Sequence, residues 1–385
     1  MRVPALSFLT IAWLTFTVQA LSGQGLSTRF GNQLSIWTAL NFSNPVEYQV
    51  GGRWIPSFSI SQNLKKDRKI DAELSANTFA NFFFKGNKTD GHEKDLKPYR
   101  AWIRYSSPRL EIRAGLQKIN FGSASILRPL MWFDKMDSRD PLQLTDGVYS
   151  LLGRYYFQNN ANLWLWALYG NENTKGWEIA ATHSKSPEFG GRLQFPVPRG
   201  EAAISFHRRT ADYKSLFPPV PDPGDKSFPE EKIGIDGKWD LGVGLSFEYV
   251  LKHNDLAIGI IKEWETQMNI GLDYTFNAGN GVNLATEYFR YENRAGWKEK
   301  ADNNNYSVIT ANYPINLMNT VSAMVYYNWN DKAWYRMISL QRKYDFWSFY
   351  LIAFWNPDTF SLYGPSEGRN LFAGKGFQIM AVVNK

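Results

Sequence analysis

The chain of 385 residues contains no cysteine and only four histidines. Without cysteine it can form neither disulfide bonds nor thiolate metal sites, so hydrophobic burial and backbone pairing must hold its fold together. The histidines lack the spacing of metal ligands, and Ser205 with His207, the nearest approach to a nucleophile motif, is a pairing that chance supplies. The sequence therefore predicts no metal centre, no cofactor and no catalytic residue.

Long hydrophobic runs are also absent after the N-terminus. The mean hydropathy is −0.39, and no run of about 18 apolar residues follows the first 20 positions, which excludes a helical membrane protein. Residues 1–20 combine a positive Arg2, an apolar stretch and small residues at Val18 and Ala20, which is typical of a secretory signal cut after Ala20. We expect an exported protein in which residues 21–32 form an N-terminal periplasmic segment and residues 33–385 form one domain.

The formal charge of +7 raises the question of a nucleic-acid partner. The basic residues are interspersed with acidic ones, and no helix-based binding motif is present, so none is predicted. Aromatic residues, by contrast, are abundant, with 15 Trp, 20 Tyr and 26 Phe. This number of aromatic residues is more than a polar secreted domain needs. Amphipathic aromatic rings are typical of the membrane interfaces of membrane proteins.

Apolar and polar residues alternate in blocks of about ten, the length that a tilted strand needs to cross a bilayer. In residues 34–42, for example, Leu34, Ile36 and Leu40 share one face, with Ser35 and Asn41 on the other. Short and long connections alternate along the chain. We predict an all-β antiparallel transmembrane barrel of about 18 strands, with a range of 16–20 because residues 177–183 and 256–264 also alternate.

Four arginines lie in the stretch YRAWIRYSSPRLEIRAGLQ at residues 99–117. If Ser106-Ser107 is the turn, Arg104 pairs with Arg109 and all the charged side chains share one face. Arginine facing lipid costs about 2–4 kcal/mol at the bilayer midplane, so this face should line a wet interior. The predicted pore-lining residues are Arg100, Trp102, Arg104, Arg109, Glu111, Arg113, Gln117 and Arg154.

Two roles for these arginines remain open. They could favour anionic solutes in an aqueous channel, since like charges on facing strands are tolerable only near water, counter-charges or passing anions. Alternatively, they could be neutralised by Glu111 and by carboxylates of other strands, such as Glu248, Asp273 and Glu287, and so brace the wall.

The connection at residues 120–147 is the longest stretch without strand alternation. Its segment LRPLMWF at residues 127–133 is too apolar for a freely solvated loop, which predicts that it folds back against the inner wall of the barrel. The candidate residues of a constriction in this loop are Arg128, Asp134, Asp137, Arg139 and Asp140.

The signal, the repeated strands and this long third external loop together resemble the outer-membrane porins of Gram-negative bacteria. The resemblance implies that the loop dips into the lumen and that Asp134, Asp137 and Asp140 face arginines such as Arg100, Arg104, Arg113 and Arg154, with a transverse field between them. In the alternative, Asp137 and Asp140 cap local turns and pair with Arg139. The chain departs from the resemblance at its end, Lys385, where such barrels carry an aromatic residue.

The predicted function is passive diffusion of small hydrophilic solutes, with a bias toward anions, through an outer-membrane channel. The predicted partners are outer-membrane lipid and these solutes, and the sequence is compatible with a homo-oligomer. One alternative is a barrel that does not transport and instead scaffolds a surface complex. Another is a secreted soluble β-protein that binds or cleaves polysaccharide through its aromatics, among them Trp164 and Trp166.

Overall fold

The computed structural model describes residues 25–43, 45–183, 185–212, 227–257, 261–357 and 372–385. These residues form eighteen strands and no helix, and hence none that could span a membrane. The strands are β1 Leu26–Asn41, β2 Glu47–Leu64, β3 Arg68–Lys85, β4 Lys88–Ser106, β5 Leu110–Gln117, β6 Val148–Tyr156, β7 Asn162–Leu168, β8 Glu188–Val197, β9 Gly200–Asp212, β10 Ser227–Asp240, β11 Gly244–Asn254, β12 Trp264–Phe276, β13 Val282–Arg294, β14 Asp302–Pro314, β15 Asn319–Asn328, β16 Ala333–Lys343, β17 Trp347–Trp355 and β18 Lys375–Asn384.

Every strand pairs with its neighbour in sequence, and β1 also pairs with β18, with Leu34 opposite Val383. All pairings are antiparallel, so the sheet closes into a barrel in which no strand has a free edge. The prediction of an antiparallel barrel of about 18 strands is confirmed. Residues 177–183 form only one isolated bridge, between Thr182 and Ala211, and add no strand to the barrel.

Side chains alternate between a lipid-facing and an interior face along each strand. On β17 the outward side chains Trp347, Phe349 and Leu351 are 47%, 42% and 48% exposed, whereas Ile352, the residue after Leu351, is fully buried. Aromatic side chains cluster at strand ends on the outer surface, as with Trp347 and Trp355 at the two ends of β17. Such rings suit the two membrane interfaces, with apolar side chains between them.

The first four strands are the longest of the barrel, at 16 to 19 residues. β1 begins at Leu26, within the segment predicted to be periplasmic, and β4 begins at Lys88, eleven residues before the arginine-rich stretch at residues 99–117. The added part of β4, KTDGHEKDLK, lacks the apolar alternation that marks a lipid-facing strand. Backbone pairing with β3 extends it, with Lys85 opposite Lys88 and Asn77 opposite Lys97.

The two rims of the barrel differ in their longest connections. Turns of two or three residues at 65–67, 107–109, 198–199 and 241–243 lie on one rim. The other rim carries the longest connections, including residues 118–147 and 169–187. We call residues 118–147 the crossing loop. The start of β1 and the end of β18 lie at the rim of short turns, as an even number of strands requires.

The arginine hairpin has a different register from the predicted one. Arg104 lies opposite Arg113, and Ser106 lies opposite Glu111, so the turn comprises Pro108 and Arg109 rather than Ser106-Ser107. Ser107 closes this turn, because its backbone N–H donates to the carbonyl of Leu110 at 2.8 Å. The shift is an even number of residues, so every side chain keeps its predicted face although its partner changes.

Candidate channel interior

An ion cluster lies on the inner wall of β3 to β6. The guanidinium of Arg104 binds the carboxylate of Asp71 through two nitrogens, at 3.0 and 2.6 Å. The carboxylate of Glu111 lies among three guanidinium groups, 3.6 Å from Arg104, 3.1 Å from Arg113 and 3.5 Å from Arg154. Three cations therefore share two carboxylates, and we call these five residues the arginine cluster.

Two tryptophans flank the arginine cluster. Trp102 has the guanidinium groups of Arg104 and Arg113 over its ring, at 5.4 and 4.8 Å from the centroid. Trp164 has that of Arg154 at 3.8 Å. Contact with a ring face is favourable for a cation and restricts the position of these guanidinium groups. The wall is thus held by both carboxylates and aromatic rings.

The other predicted pore-lining residues lie outside this cluster. Arg100 is buried and donates to the backbone carbonyl of Thr145 in the crossing loop at 3.0 Å. Gln117 is fully buried and bonds to backbone carbonyls of Arg113 and Ser150. Arg109 is exposed in the turn, because the hairpin register places it beyond the end of the paired strands. Arg100 and Gln117 therefore have structural contacts, and Arg109 lies at the rim.

The crossing loop reaches from β5 to side chains of β11, β12 and β13. The carboxylate of Glu287 accepts the backbone N–H groups of three consecutive residues, Ser125 at 2.8 Å, Ile126 at 3.0 Å and Leu127 at 2.7 Å. On β11, the carboxylate of Glu248 accepts two further loop N–H groups, from Ala124 and Leu130. Both carboxylates are buried, so they satisfy backbone donors of the loop that would otherwise have no partner.

The close approach to Glu248 depends on a glycine. Gly122 has a φ of +107°, and a Cβ at this position would lie 2.4 Å from Oε1 of Glu248. A side chain there would be strained by the backbone conformation and would also displace the carboxylate. Glu248 and Glu287, which the sequence left open as partners of the wall arginines, hold the loop backbone in the structure.

Apolar contacts hold the crossing loop on both sides of its course. Phe121 and Phe133 pack against Trp166 of β7, with ring centroids 5.5 and 5.4 Å apart. Between these two phenylalanines in the sequence, Leu127 is fully buried in a cluster with residues of β13 to β16. This explains the apolar LRPLMWF segment, whose side chains face other parts of the protein rather than solvent. Trp166 is buried in this packing and offers no exposed ring for a sugar.

The charged side chains of the crossing loop mostly pair with one another. Asp134 is 3.3 Å from Arg128, and Asp137 is 2.8 Å from Arg139. Asp140 accepts the backbone N–H of Leu142 at 2.9 Å, as in a capped turn. None of these carboxylates makes an ion pair with the arginine cluster within the described residues. The alternative of local pairing and turn capping therefore describes Asp137 and Asp140 better than the facing arrangement implied by the porin resemblance.

Asp140 is a partly buried carboxylate of the crossing loop. Burial raises the pKa of its carboxyl, whereas the Leu142 amide and the nearby positive charge of Arg53 on β2 act in the opposite direction. The cationic neighbour of this carboxylate is thus a residue outside the predicted set. No sequence pattern indicates Arg53, because it is the only arginine in β2 and lacks the repeated spacing of the arginines at residues 100–113.

A second ion network fills the interior beside β8 to β12, and no sequence pattern predicted it. Its members are the cations Lys175, Arg209, Lys232 and Lys252 and the carboxylates Glu178, Glu188, Glu230 and Glu265, all buried. Arg209 lies 2.6 Å from Glu230, and Lys252 lies 2.7 Å from Glu265. Charges of both signs are equal in number and paired, so this half of the interior is packed rather than open.

A cavity of about 470 Å³ remains between the crossing loop and the opposite wall. Its floor is formed by loop residues such as Ser138, Asp140 and Gln143, and its wall by inward residues of β13 to β17. The charged lining residues are Arg139, Lys238, Asp140 and Asp273, two of each sign. This polar space is the best candidate for a solute path in the described part of the barrel.

Ser205 and His207 do not contact each other as a nucleophile and its base would. His207 lies 3.1 Å from Glu188 and accepts from the indole of Trp166, while Ser205 binds Arg192, so the serine and the histidine have separate partners. The described residues also contain no group of three or more side chains suited to a metal ion.

Comparison with solved structures assigns this architecture. The OmpF complex with daunomycin from Salmonella typhi matches with a TM-score of 0.52 and 10% identity, over 94% of this chain and 97% of that chain. An anion-selective porin from Comamonas acidovorans matches with a TM-score of 0.51 and 10% identity, over 94% and 100% of the two chains. The chain has a porin-type fold. OmpT of Vibrio cholerae, in a trimer form, matches this porin-type barrel with a TM-score of 0.52 and 9% identity, over 94% and 100% of the two chains. No family model matches the sequence, and no curated protein does.

Proposed function

We propose that the chain is an outer-membrane channel through which small hydrophilic solutes diffuse passively, without catalysis. The observation that carries the proposal is a closed barrel with apolar side chains outside and a polar cavity between the crossing loop and the wall of β13 to β17. Apolar outward side chains require lipid around the barrel, and a polar interior requires water within it. Export through the N-terminal signal and insertion into the outer membrane belong to the same proposal.

A preference for anions is the finer part of the proposal. The arginine cluster has three guanidinium groups against the carboxylates of Asp71 and Glu111, and Arg53 adds a further cation beside Asp140. The local excess of positive charge favours anions near this wall. The trimer form of the Vibrio cholerae protein supports testing self-association by cross-linking in the membrane.

Planar-bilayer recording with ion substitution tests both parts. We expect discrete channels with a chloride-to-potassium permeability ratio above one, and a lower ratio in Arg113→Ala and Arg154→Ala. The control is Arg109→Ala, which removes an exposed rim arginine from the same hairpin and should leave the ratio nearly unchanged. Protein that inserts but never conducts would overturn the channel, while cation selectivity would overturn only the anion preference.

The scaffold alternative rests on how much of the interior is filled. The crossing loop and the second ion network occupy the side facing β7 to β12. If a partner completes the channel, the barrel alone should be closed and should co-purify with that partner in fixed stoichiometry. An isolated barrel that conducts with no partner present would remove this alternative.

A further inference from the structure

The wall of the cavity has a band of uncharged polar side chains that runs across four adjacent strands. Asn283 of β13 lies directly opposite Asn312 of β14, Asn312 opposite Ser322 of β15, and Ser322 opposite Ser339 of β16. All four line the cavity. Directly opposed residues on neighbouring strands are about 5 Å apart, so the band presents amide and hydroxyl groups at regular intervals. We call these four residues the polar row.

Most of the polar row is free to bind a solute. Among the described residues, no hydrogen bond uses the side chains of Asn312, Ser322 or Ser339, and only Asn283 is engaged, with Thr275 at 3.1 Å. Unpaired polar groups in a wet cavity bind water and can exchange that water for hydroxyl groups of a solute. The polar row thus supplies both donors and acceptors, as a partner with many hydroxyl groups requires.

Apolar and aromatic groups border the polar row on both sides. Met324 and Met337 lie opposite each other, two residues from Ser322 and Ser339 on the same strands. On the other side, Gln341 lies opposite Tyr350, and the Gln341 side-chain amide donates to the Tyr350 hydroxyl at 3.0 Å. Methionine and tyrosine provide flexible or flat surfaces against which C–H groups can pack. A compound that is both polyhydroxylated and partly apolar, as a sugar ring is, matches this combination of surfaces.

The charge of the cavity also selects the ligand class. The four charged lining residues, Arg139, Lys238, Asp140 and Asp273, sum to zero, and the polar row carries no charge. An anion or a cation would gain little from this wall, whereas a neutral solute avoids the cost of moving a charge out of bulk water. A volume of about 470 Å³ lies in the range of small-molecule sites.

We infer that the polar row is a binding subsite for neutral polyhydroxylated solutes of mono- or disaccharide size. The subsite lies on the wall facing the arginine cluster, so one interior combines a basic wall with a neutral one. The inference rests on the proposed channel function, because the same cavity serves as the solute path. It adds a chemical class of solute that the arginines alone do not indicate.

Saturation-transfer NMR with sucrose on the detergent-solubilised barrel tests binding directly and does not require conduction. We expect a measurable dissociation constant that rises about tenfold in the Asn312→Ala and Ser339→Ala double variant, as loss of two hydrogen bonds predicts. The single variants should lie between the double variant and the unchanged protein. The matched control is Thr286→Ala, a lipid-facing position on β13, which should bind sucrose unchanged.

Current recordings separate this inference from the channel proposal. Sucrose should reduce the ion current at lower concentrations in the unchanged protein than in the double variant, while gluconate, a polyhydroxylated anion, should be the weaker blocker. Conductance with equal sucrose effects in both proteins would overturn the subsite and keep the channel. Sucrose binding to a barrel that never conducts would overturn the channel and keep the subsite, and equal block by gluconate would overturn the neutral class.

Discussion

The contribution of a charged residue inside the barrel depends on the partner that its side chain contacts. Asp71 is 7% exposed, and its main contact is the two-point bond to Arg104. Loss of one partner from such a pair leaves a poorly hydrated charge, which costs more than the pair contributes when it is intact. The arginines of the hairpin consequently differ in their effect on stability, although the sequence presents them as equivalent.

Arg104→Ala is therefore expected to lower the free energy of unfolding by about 1–3 kcal/mol, because the carboxylate of Asp71 loses its partner. Arg104→Lys should give a smaller loss, since a lysine keeps the charge but not the two-point contact. Urea unfolding of the refolded barrel in lipid vesicles measures this change. Arg109→Ala is the control and should change little, and a loss as large as that of Arg104→Ala would contradict the assigned contact.

Asp140 offers a pH-dependent prediction outside the strands. Because burial raises the pKa of its carboxyl, Asp140 should gain a proton at a higher pH than an exposed aspartate does. Protonation removes a negative charge from the cavity, so the chloride-to-potassium permeability ratio should rise as pH falls toward and below that raised pKa. Asp140→Asn should hold the high ratio across this range, and Asp345→Asn in an exposed turn should titrate like the unchanged protein. A flat ratio in the unchanged protein would contradict the prediction.

At the scale of elements, alternation determines faces but not partners. The eighteen strands follow from the period of two, because each strand must turn apolar side chains to lipid. The hairpin at residues 99–117 shows why partners cannot be predicted in this way. An even shift in register leaves every side chain on the same face, so the apolar and polar alternation is the same for both registers. The fold was predictable for this reason, whereas the exact cross-strand pairs were not.

The position of the crossing loop could be predicted only in outline. Its apolar composition indicated a protected segment, but its anchors, Glu248 and Glu287, lie more than 110 residues away along the chain. Each is a single inward glutamate in an ordinary strand, with no motif around it. The long-range contacts of the loop therefore depend on closure of the barrel, and no local sequence pattern predicts them.

Glu287→Ala should release the tip of the crossing loop, because three consecutive backbone N–H groups lose their acceptor. Leu127 and Arg128 are 0% and 4% exposed in the intact loop, so cleavage within residues 124–128 by proteinase K, a protease with little sequence preference, reports the release. We expect cleavage to be at least about tenfold faster, given hydrogen bonds to a charged group of about 1.5–3 kcal/mol each. Single-channel conductance should increase in the same variant.

Glu299→Ala is the matched control, since Glu299 is an exposed glutamate in the connection between β13 and β14. It should leave both cleavage and conductance unchanged. Glu287→Gln keeps one acceptor oxygen and should fall between the two. If Glu287→Ala leaves residues 124–128 protected, the loop is held by its apolar contacts with Phe289 and Tyr326, and the carboxylate is not its anchor.

For the whole molecule, the distribution of outward side chains predicts how the barrel sits in a membrane. Leu351 is 48% exposed and lies midway along β17, four residues from each of the terminal tryptophans, Trp347 and Trp355. Leu64 is 40% exposed at the last position of β2 and is followed by the charged turn Lys65-Lys66-Asp67. Both leucine side chains face outward, but only Leu351 lies at the depth expected for the bilayer midplane.

Leu351→Arg should therefore lower the free energy of unfolding by about 2–4 kcal/mol in lipid vesicles, whereas Leu64→Arg should lower it by only about 0–1 kcal/mol. The difference arises because the cost of a charge in lipid increases with depth. Urea titration of the two variants and the unchanged protein, refolded into the same vesicles, measures it. A soluble β-protein has water on this entire face, so equal and small changes at both positions would contradict the transmembrane barrel and favour the secreted alternative.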